Sequence, residues 1–258
     1  MEFDVRGMYD LHIHAGPDVR PRKLTAAEVV RRARDAGMAG VMLKCHVSST
    51  AALAASMEEV FNGIRVFGSI CLNYEVGGLN PAAVQAAVAM GAREVWMPTF
   101  SSELFRAYIG EPGTGIRIVD ENKRLLPAVE EILSILAKAG IILGTGHVDA
   151  QEALALVKRC RAAGVEKVLV THPDIDFLRY PLELQVELSR HGAFFERCAV
   201  QPDHCKEDKL KEMVRHIRAV GVERNILSSD YGQPENLYPV EGLRAFMVDL
   251  HAHGITEE

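Results

Sequence analysis

The chain has 258 residues, a formal charge of −6 at pH 7 and five cysteines. A length near 250 admits one large domain, a (β/α)8 barrel among the options, or two small ones, and it lets a core form with neither disulfide nor metal. The acidic balance, with no basic run longer than ArgProArgLys at 20–23, argues against nucleic acid, and no stretch approaches the 18 apolar residues of a membrane span.

Cys45, Cys71, Cys160, Cys198 and Cys205 are odd in number and scattered, without a CxxC pair, as expected of reduced thiols. The first ten residues, MEFDVRGMYD, carry acidic residues where a signal peptide would be basic and apolar. A soluble, cytoplasmic protein is the expectation.

Short apolar or β-branched runs predict strands at 8–14, 40–46, 64–72, 94–100, 141–147, 167–173, 193–199 and 225–230. Amphipathic segments at 25–37, 50–63, 80–91, 122–140, 149–164, 181–192, 206–221 and 239–254 lie between and after them. Each helix ends at a glycine suited to the C′ position, and Thr25, Asn80 and Asp149 stand at N-cap positions. Eight alternating units predict an α/β protein of the (β/α)8 TIM barrel class, one domain over 1–258 with no internal repeat. The segment GEPGTGIRIVD at 110–120 reads as a loop excursion over the barrel mouth. The final GITEE sets Thr256 before two acidic residues, a helix-start signature with no helix after it, so the natural chain is expected to continue.

In such barrels the residues at the C-terminal ends of the strands line the site. His12 and His14 close strand one, Lys44 and His46 strand two, His147 strand five, His172 strand six and Asp230 strand eight. A lone histidine at a strand end is more often structural than functional, but here four of ten histidines and an aspartate share one relative position in four units. Side chains alternate along a strand, so His12 and His14 point to the axis if Leu11 and Ile13 face the helices. Imidazoles and a carboxylate brought together this way make a mixed N/O set suited to Zn²⁺ or another divalent ion.

HisIleHis at 12–14, GTGHVD around His147, VTHPD around His172 and SSDYG around Asp230 together resemble the amidohydrolase superfamily of metal-dependent hydrolases, over the whole chain and as an uncharacterised branch. The resemblance implies that His12, His14 and Asp230 hold one ion, with His147 and His172 either ligands of a second or, in the one-ion form, a ligand and an orienting group. It implies one or two ions, zinc first and manganese or iron as alternatives. It makes Asp230 the group that takes and returns the proton of an activated water, with His172 beside it.

Many two-ion relatives bridge the pair with a carboxylated lysine or a glutamate from strand four, whereas strand four here ends WMPTFSSE with neither at its tip. Lys44 is therefore assigned first as a carboxylated bridging ligand. A cationic Lys44 holding an anionic substrate group, or Glu103 swinging in, are the alternatives. His46 is assigned beside the ligands, as a hydrogen-bonding or substrate contact, and Asn73, Tyr74 and Tyr231 at the mouth as substrate contacts. Glu196, on one face of strand seven with Cys198, reads first as a charge at the barrel rim and second as a substrate contact. The patch at 20–23 is a solvated loop or a lure for anions. Asp203 and His204 receive no catalytic role, since adjacent residues point apart.

The leading reading is thus a metal-dependent hydrolase cleaving an amide, lactone or ester in a small molecule, possible as a homo-oligomer and without nucleic-acid or membrane partners. A metal-dependent decarboxylase of a small carboxylic acid and a non-catalytic metabolite-binding barrel are the competing readings. A phosphoesterase of the histidinol-phosphatase type is disfavoured by the eight-strand count and by the lack of further metal motifs.

Overall fold

A computed structural model of the chain describes residues 3–200 and 207–256, so Asp203, His204 and Cys205 lie outside the described residues. Eight parallel strands form one sheet in chain order: β1 Tyr9–His14, β2 Gly40–Lys44, β3 Arg65–Cys71, β4 Ala92–Trp96, β5 Ile142–Gly144, β6 Val168–Val170, β7 Phe194–Cys198 and β8 Asn225–Ser228. The ring closes just past β8, where Asp230 N–H donates to His12 O and His14 N–H to Tyr231 O, each at 2.8 Å. The last backbone bonds of the (β/α)8 barrel are therefore made by the residues that the sequence marks for chemistry.

The helices are α1 Ala26–Asp35, α2 Ala51–Val60, α3 Pro81–Ala89, α4 Glu103–Tyr108, α5 Pro127–Ala139, α6 Ala150–Ala163, α7 Leu182–Arg190, α8 Glu207–Val220 and α9 Pro239–Ala252. Thr25 and Asp149 close reciprocal capping boxes with Glu28 and Glu152, and Asn80 Oδ1 accepts from the amides of Ala82 and Ala83. Each of these side chains satisfies amides that a helix start leaves without partners.

The excursion after β4 holds the one helix that periodicity did not predict, α4, whose six residues are too few to show a 3.6 period. Ser102 caps it, and the Glu103 carboxylate accepts from the amides of Gly113 and Gly115. Glu103 thus holds the excursion together and does not turn toward the barrel axis, which removes it as a bridging ligand.

Between sheet and helices lies an aliphatic layer in which β5 and α5 contribute Leu143, Val129, Ile132 and Leu133, and β1, β2 and α1 contribute Ile13, Val41, Leu43, Val29 and Val30. Ile13 faces that layer, so Asp10, His12 and His14 face inward, as strand alternation requires. The inside of the barrel is unusually polar. Asp10, His12, Lys44, Glu94 and Glu196 are at most 1% exposed and share the interior with Met42, Cys71 and Trp96. No helix among the described residues is long and apolar enough to cross a membrane.

Candidate metal centre

The two imidazoles of β1 and the carboxylate after β8 meet at one atom. Asp230 Oδ1 lies 3.0 Å from His12 Nε2 and 3.1 Å from His14 Nε2. His12, Cys198 and Asp230 each also bring a ligand-type atom within 4.8 Å of the others. Desolvation works against a charged carboxyl, but the charge and hydrogen bonds of His12 and the hydrogen bond of His14 outweigh it, so Asp230 stays ionised well below the usual carboxylate range.

His12 is held from behind. Glu196 Oε2 is 3.1 Å from His12 Nδ1, both side chains being fully buried. A carboxylate there holds a proton on Nδ1, so that an ion held between Nε2 and Asp230 would meet the Nε2 lone pair. Glu196 is therefore neither a rim charge nor a substrate contact, as its sequence position had suggested. It stands inside the barrel, where β7 alternation puts every second side chain.

Lys44 is equally deep. Its Nζ lies 2.8 Å from His12 Nε2 and 3.9 Å above the Trp96 ring. Below it Glu94, absent from the sequence-derived candidates, is buried with neither oxygen hydrogen-bonded. Burial, then the nearby Glu196 charge, push its carboxyl well above the ordinary range. The sequence gives no cue to Glu94, which follows Arg93 at the start of the predicted strand 94–100.

His46, His147 and His172 complete the ring of imidazoles. Centroids are 4.7 Å apart for His14 and His46, 5.0 Å for His147 and His172, and 5.9 Å for His12 and His172. Burial is the first cause that depresses His14 to about 3 and His172 to about 4, and it carries His46 and His147 well below the ordinary value. Neutral rings are what metal ligation requires. The buried Nδ1 atoms of His147 and His172 have no hydrogen-bond partner, an uncommon state for buried nitrogens and one that an ion would resolve. The donor set therefore fits a divalent cation.

The backbone is strained at the same place. His172 (φ 25°) and Asp230 (φ 52°) are two of four non-glycine residues with positive φ among those described, a cost of the kind that concentrates at working sites. Two glycines make the turns possible. A Cβ on Gly146 (φ 61°) would lie 2.3 Å from Met97 O, and one on Gly232 (φ 142°) would lie 1.9 Å from His14 O.

A cavity of about 620 Å³ opens over the histidines and Asp230, walled further out by Arg20, Phe100, Ile175, Phe177 and Gln233. Three residues assigned to substrate do not line it. Asn73 is 1% exposed, and its amide donates to His46 O and Thr99 Oγ1 while its oxygen accepts from the amides of Thr99 and Ser101. Tyr74 turns outward, half-exposed, to hydrogen-bond Thr114 O, and Tyr231 packs with Leu210 and Phe246. His46 does line the cavity, with Nδ1 held 2.8 Å from Thr99 Oγ1. A smaller cavity of about 330 Å³ beside Asp174 and His216 is remote from the imidazoles.

A family model described as a family of unknown function (DUF6282) matches residues 7–196, a span that ends before Cys198, Asp230 and Tyr231. No curated protein matches the sequence significantly. Among solved structures, the probable dipeptidase PvdM from Pseudomonas aeruginosa matches with a TM-score of 0.66 at 12% identity, over 96% of this chain and 90% of its own. An amidohydrolase from the same organism gives 0.62 at 12% identity, over 97% and 91%. The organophosphorus hydrolase from Deinococcus radiodurans gives 0.61 at 14% identity, over 96% and 87%. At such identities the likeness is one of fold.

Proposed function

The chain belongs to the DUF6282 family, a family of unknown function, and from its site we propose that it is a metal-dependent hydrolase cleaving an amide, lactone or ester bond in a small molecule. One observation carries the reading: His12 Nε2 and His14 Nε2 converge on a single oxygen of Asp230, from strands that meet only because the barrel closes. The names of the solved neighbours, a probable dipeptidase and an organophosphorus hydrolase among them, support the class.

His12, His14 and Asp230 would hold one divalent ion, zinc first and manganese or iron as alternatives, and His147 and His172 would complete its shell or hold a second. A bound ion of this kind supplies Lewis acidity, acidifying water and polarising a carbonyl or phosphoryl oxygen. Asp230, ionised and beside both imidazoles, takes the proton of the attacking water and returns it to the leaving group. Glu196 keeps the proton of His12 on Nδ1 throughout. His172, held by its strained backbone, orients the substrate oxygen. Lys44, with Nζ against His12 Nε2, would as a carboxylated lysine help hold a second ion; as an ammonium it would hold an anionic substrate group instead.

The test is elemental analysis of protein purified without chelator, beside Asp230→Asn and Lys44→Ala, with a panel of esters, lactones and amides assayed on the same samples. Bound divalent metal in the native chain, lost in Asp230→Asn together with turnover, is the expected result. Two ions per chain falling to one in Lys44→Ala would establish the bridge, and equal content in the two proteins would remove it. A native chain that takes up no zinc, manganese or iron would overturn the reading.

A further inference from the structure

The basic patch after β1 contains three cations, and the fold treats them differently. Arg22 is neutralised: its Nε and a terminal nitrogen both lie 2.7 Å from Asp18 Oδ2, in a pair that is at most 6% exposed. Lys23 donates to Pro234 O at 2.7 Å and so ties the first loop to the eighth. Arg20 has no carboxylate partner among the described residues. Its guanidinium instead sits over Phe100, with Cζ 4.0 Å from the ring centroid, at the wall of the large cavity.

That stack continues inward. Phe100 lies on His46 with centroids 3.8 Å apart and planes 28° apart, and His46 lies on His14 at 4.7 Å and 22°. A column of four planar groups thus runs from solvent at Arg20 to the Asp230 carboxylate beside His14. Stacking covers one face of the guanidinium and leaves its N–H edge free, the edge that pairs with a carboxylate through two parallel hydrogen bonds. Phe177 and Ile175 line the same cavity and offer apolar surface between the column's two ends. The other charged groups lining it are Lys44 and Asp230 with the histidines, Arg22 with its partner Asp18, and Glu235 on the eighth loop, which is exposed.

We propose that the substrate is a small carboxylic acid, its carboxylate held by Arg20 at the mouth and its cleavable bond several atoms away at the foot of the Arg20–Phe100–His46–His14 column. The proposal rests on the hydrolase reading for its cleavable bond, but the carboxylate contact is a binding statement and is tested without turnover. Arg20 reads the acid, and the apolar walls take the chain that joins it to the reacting group. Lys44, buried at the floor, is separated from Arg20 by the depth of the cavity, so the two cations do not compete for one group.

The experiment is a thermal-shift screen of the full chain, metal-loaded, against metabolite-sized carboxylic acids each paired with its methyl ester or primary amide. Hits are then titrated by calorimetry against the native chain, Arg20→Gln and Arg20→Lys. The expected result is that acids stabilise the protein and their neutral partners do not, and that Arg20→Gln weakens the acids by about tenfold to a hundredfold, with Arg20→Lys between. Hits shared equally by acids and neutral partners, hits unaffected by Arg20→Gln, or no acid hit at all would each overturn it. Repeating the titration on chelator-treated protein separates the two readings, because loss of metal leaves the Arg20 contact in place, whereas an acid bound through the ion alone loses its affinity there.

Discussion

Glu196 Oε2 lies 3.1 Å from Nδ1 of His12, with neither side chain exposed to solvent. A buried carboxylate behind a histidine orients the ring and raises its basicity, and removing such a partner costs about tenfold to a hundredfold in metal affinity. Glu196→Gln keeps an acceptor and should lose about tenfold; Glu196→Ala should lose more. Trp96, the one tryptophan of the chain, has its ring centroid 4.8 Å from that of His12 and reports loading by its fluorescence. Zinc titrations that give the three proteins equal affinity would show that Glu196 does not position His12.

The barrel, and the gathering of most candidate site residues at its mouth, were legible in the sequence because both depend on local pattern. Eight alternations of period-2 and period-3.6 segments specify the ring, and residues at strand ends fall at its mouth whatever the long-range packing. His14, His147, His172 and Asp230 were readable on that basis and line one cavity, with His12 buried against Asp230 beneath it. What stayed hidden depends on orientation. Glu196 is a mid-strand acid that looks like a rim charge until the barrel interior proves polar, and Asn73 looks like a mouth residue until its four hydrogen-bonding positions are found spoken for.

Asn73 should behave as a clamp. It joins the end of β3 to the segment after β4 through one donated and two accepted bonds and to His46 O after β2 through the other donated bond, and truncating it strands the buried amides of Thr99 and Ser101. Asn73→Ala is expected to cost about 2–4 kcal/mol of stability, from unsatisfied buried groups at roughly 1–3 kcal/mol each. Metal bound per folded chain should be unchanged, and Tyr74→Phe should be neutral in both measurements. Urea unfolding beside elemental analysis decides it; a stable Asn73→Ala with altered ligand binding would return Asn73 to the substrate site.

Gly232 has no room for a side chain. With φ at 142° and a would-be Cβ 1.9 Å from His14 O, Gly232→Ala must move either the eighth loop or the end of β1. The backbone strain alone is worth about 1–3 kcal/mol. Because His14 N–H also holds Tyr231 O, the shift should reach the Asp230 carboxylate and lower metal content along with Tm. Gly63→Ala is the control: it also has positive φ (86°) but nothing within 4 Å of the added carbon, and it should lose stability without losing metal.

Asp174 supplies a pH signature independent of the metal. Burial opposes its charge, but Arg197 and the hydrogen bond with His216 prevail and hold its pKa down from 3.8 to about 2. A carboxyl whose folded pKa is depressed contributes stability above its unfolded value, near 3.8, and that contribution disappears as pH falls toward 2. The shift corresponds to about 2 kcal/mol, with the side chain only 10% exposed. Asp174→Asn leaves the fully buried Arg197 guanidinium without its counter-ion and should cost about 3–5 kcal/mol at pH 7. Below pH 4 the unfolded chain takes up a proton on this carboxyl while the folded chain, with its pKa near 2, still resists, so the gap between the two proteins should narrow. Urea unfolding of both proteins from pH 7 to pH 3 measures it, and parallel stability curves across that range would show that the Asp174 pair is not ionic.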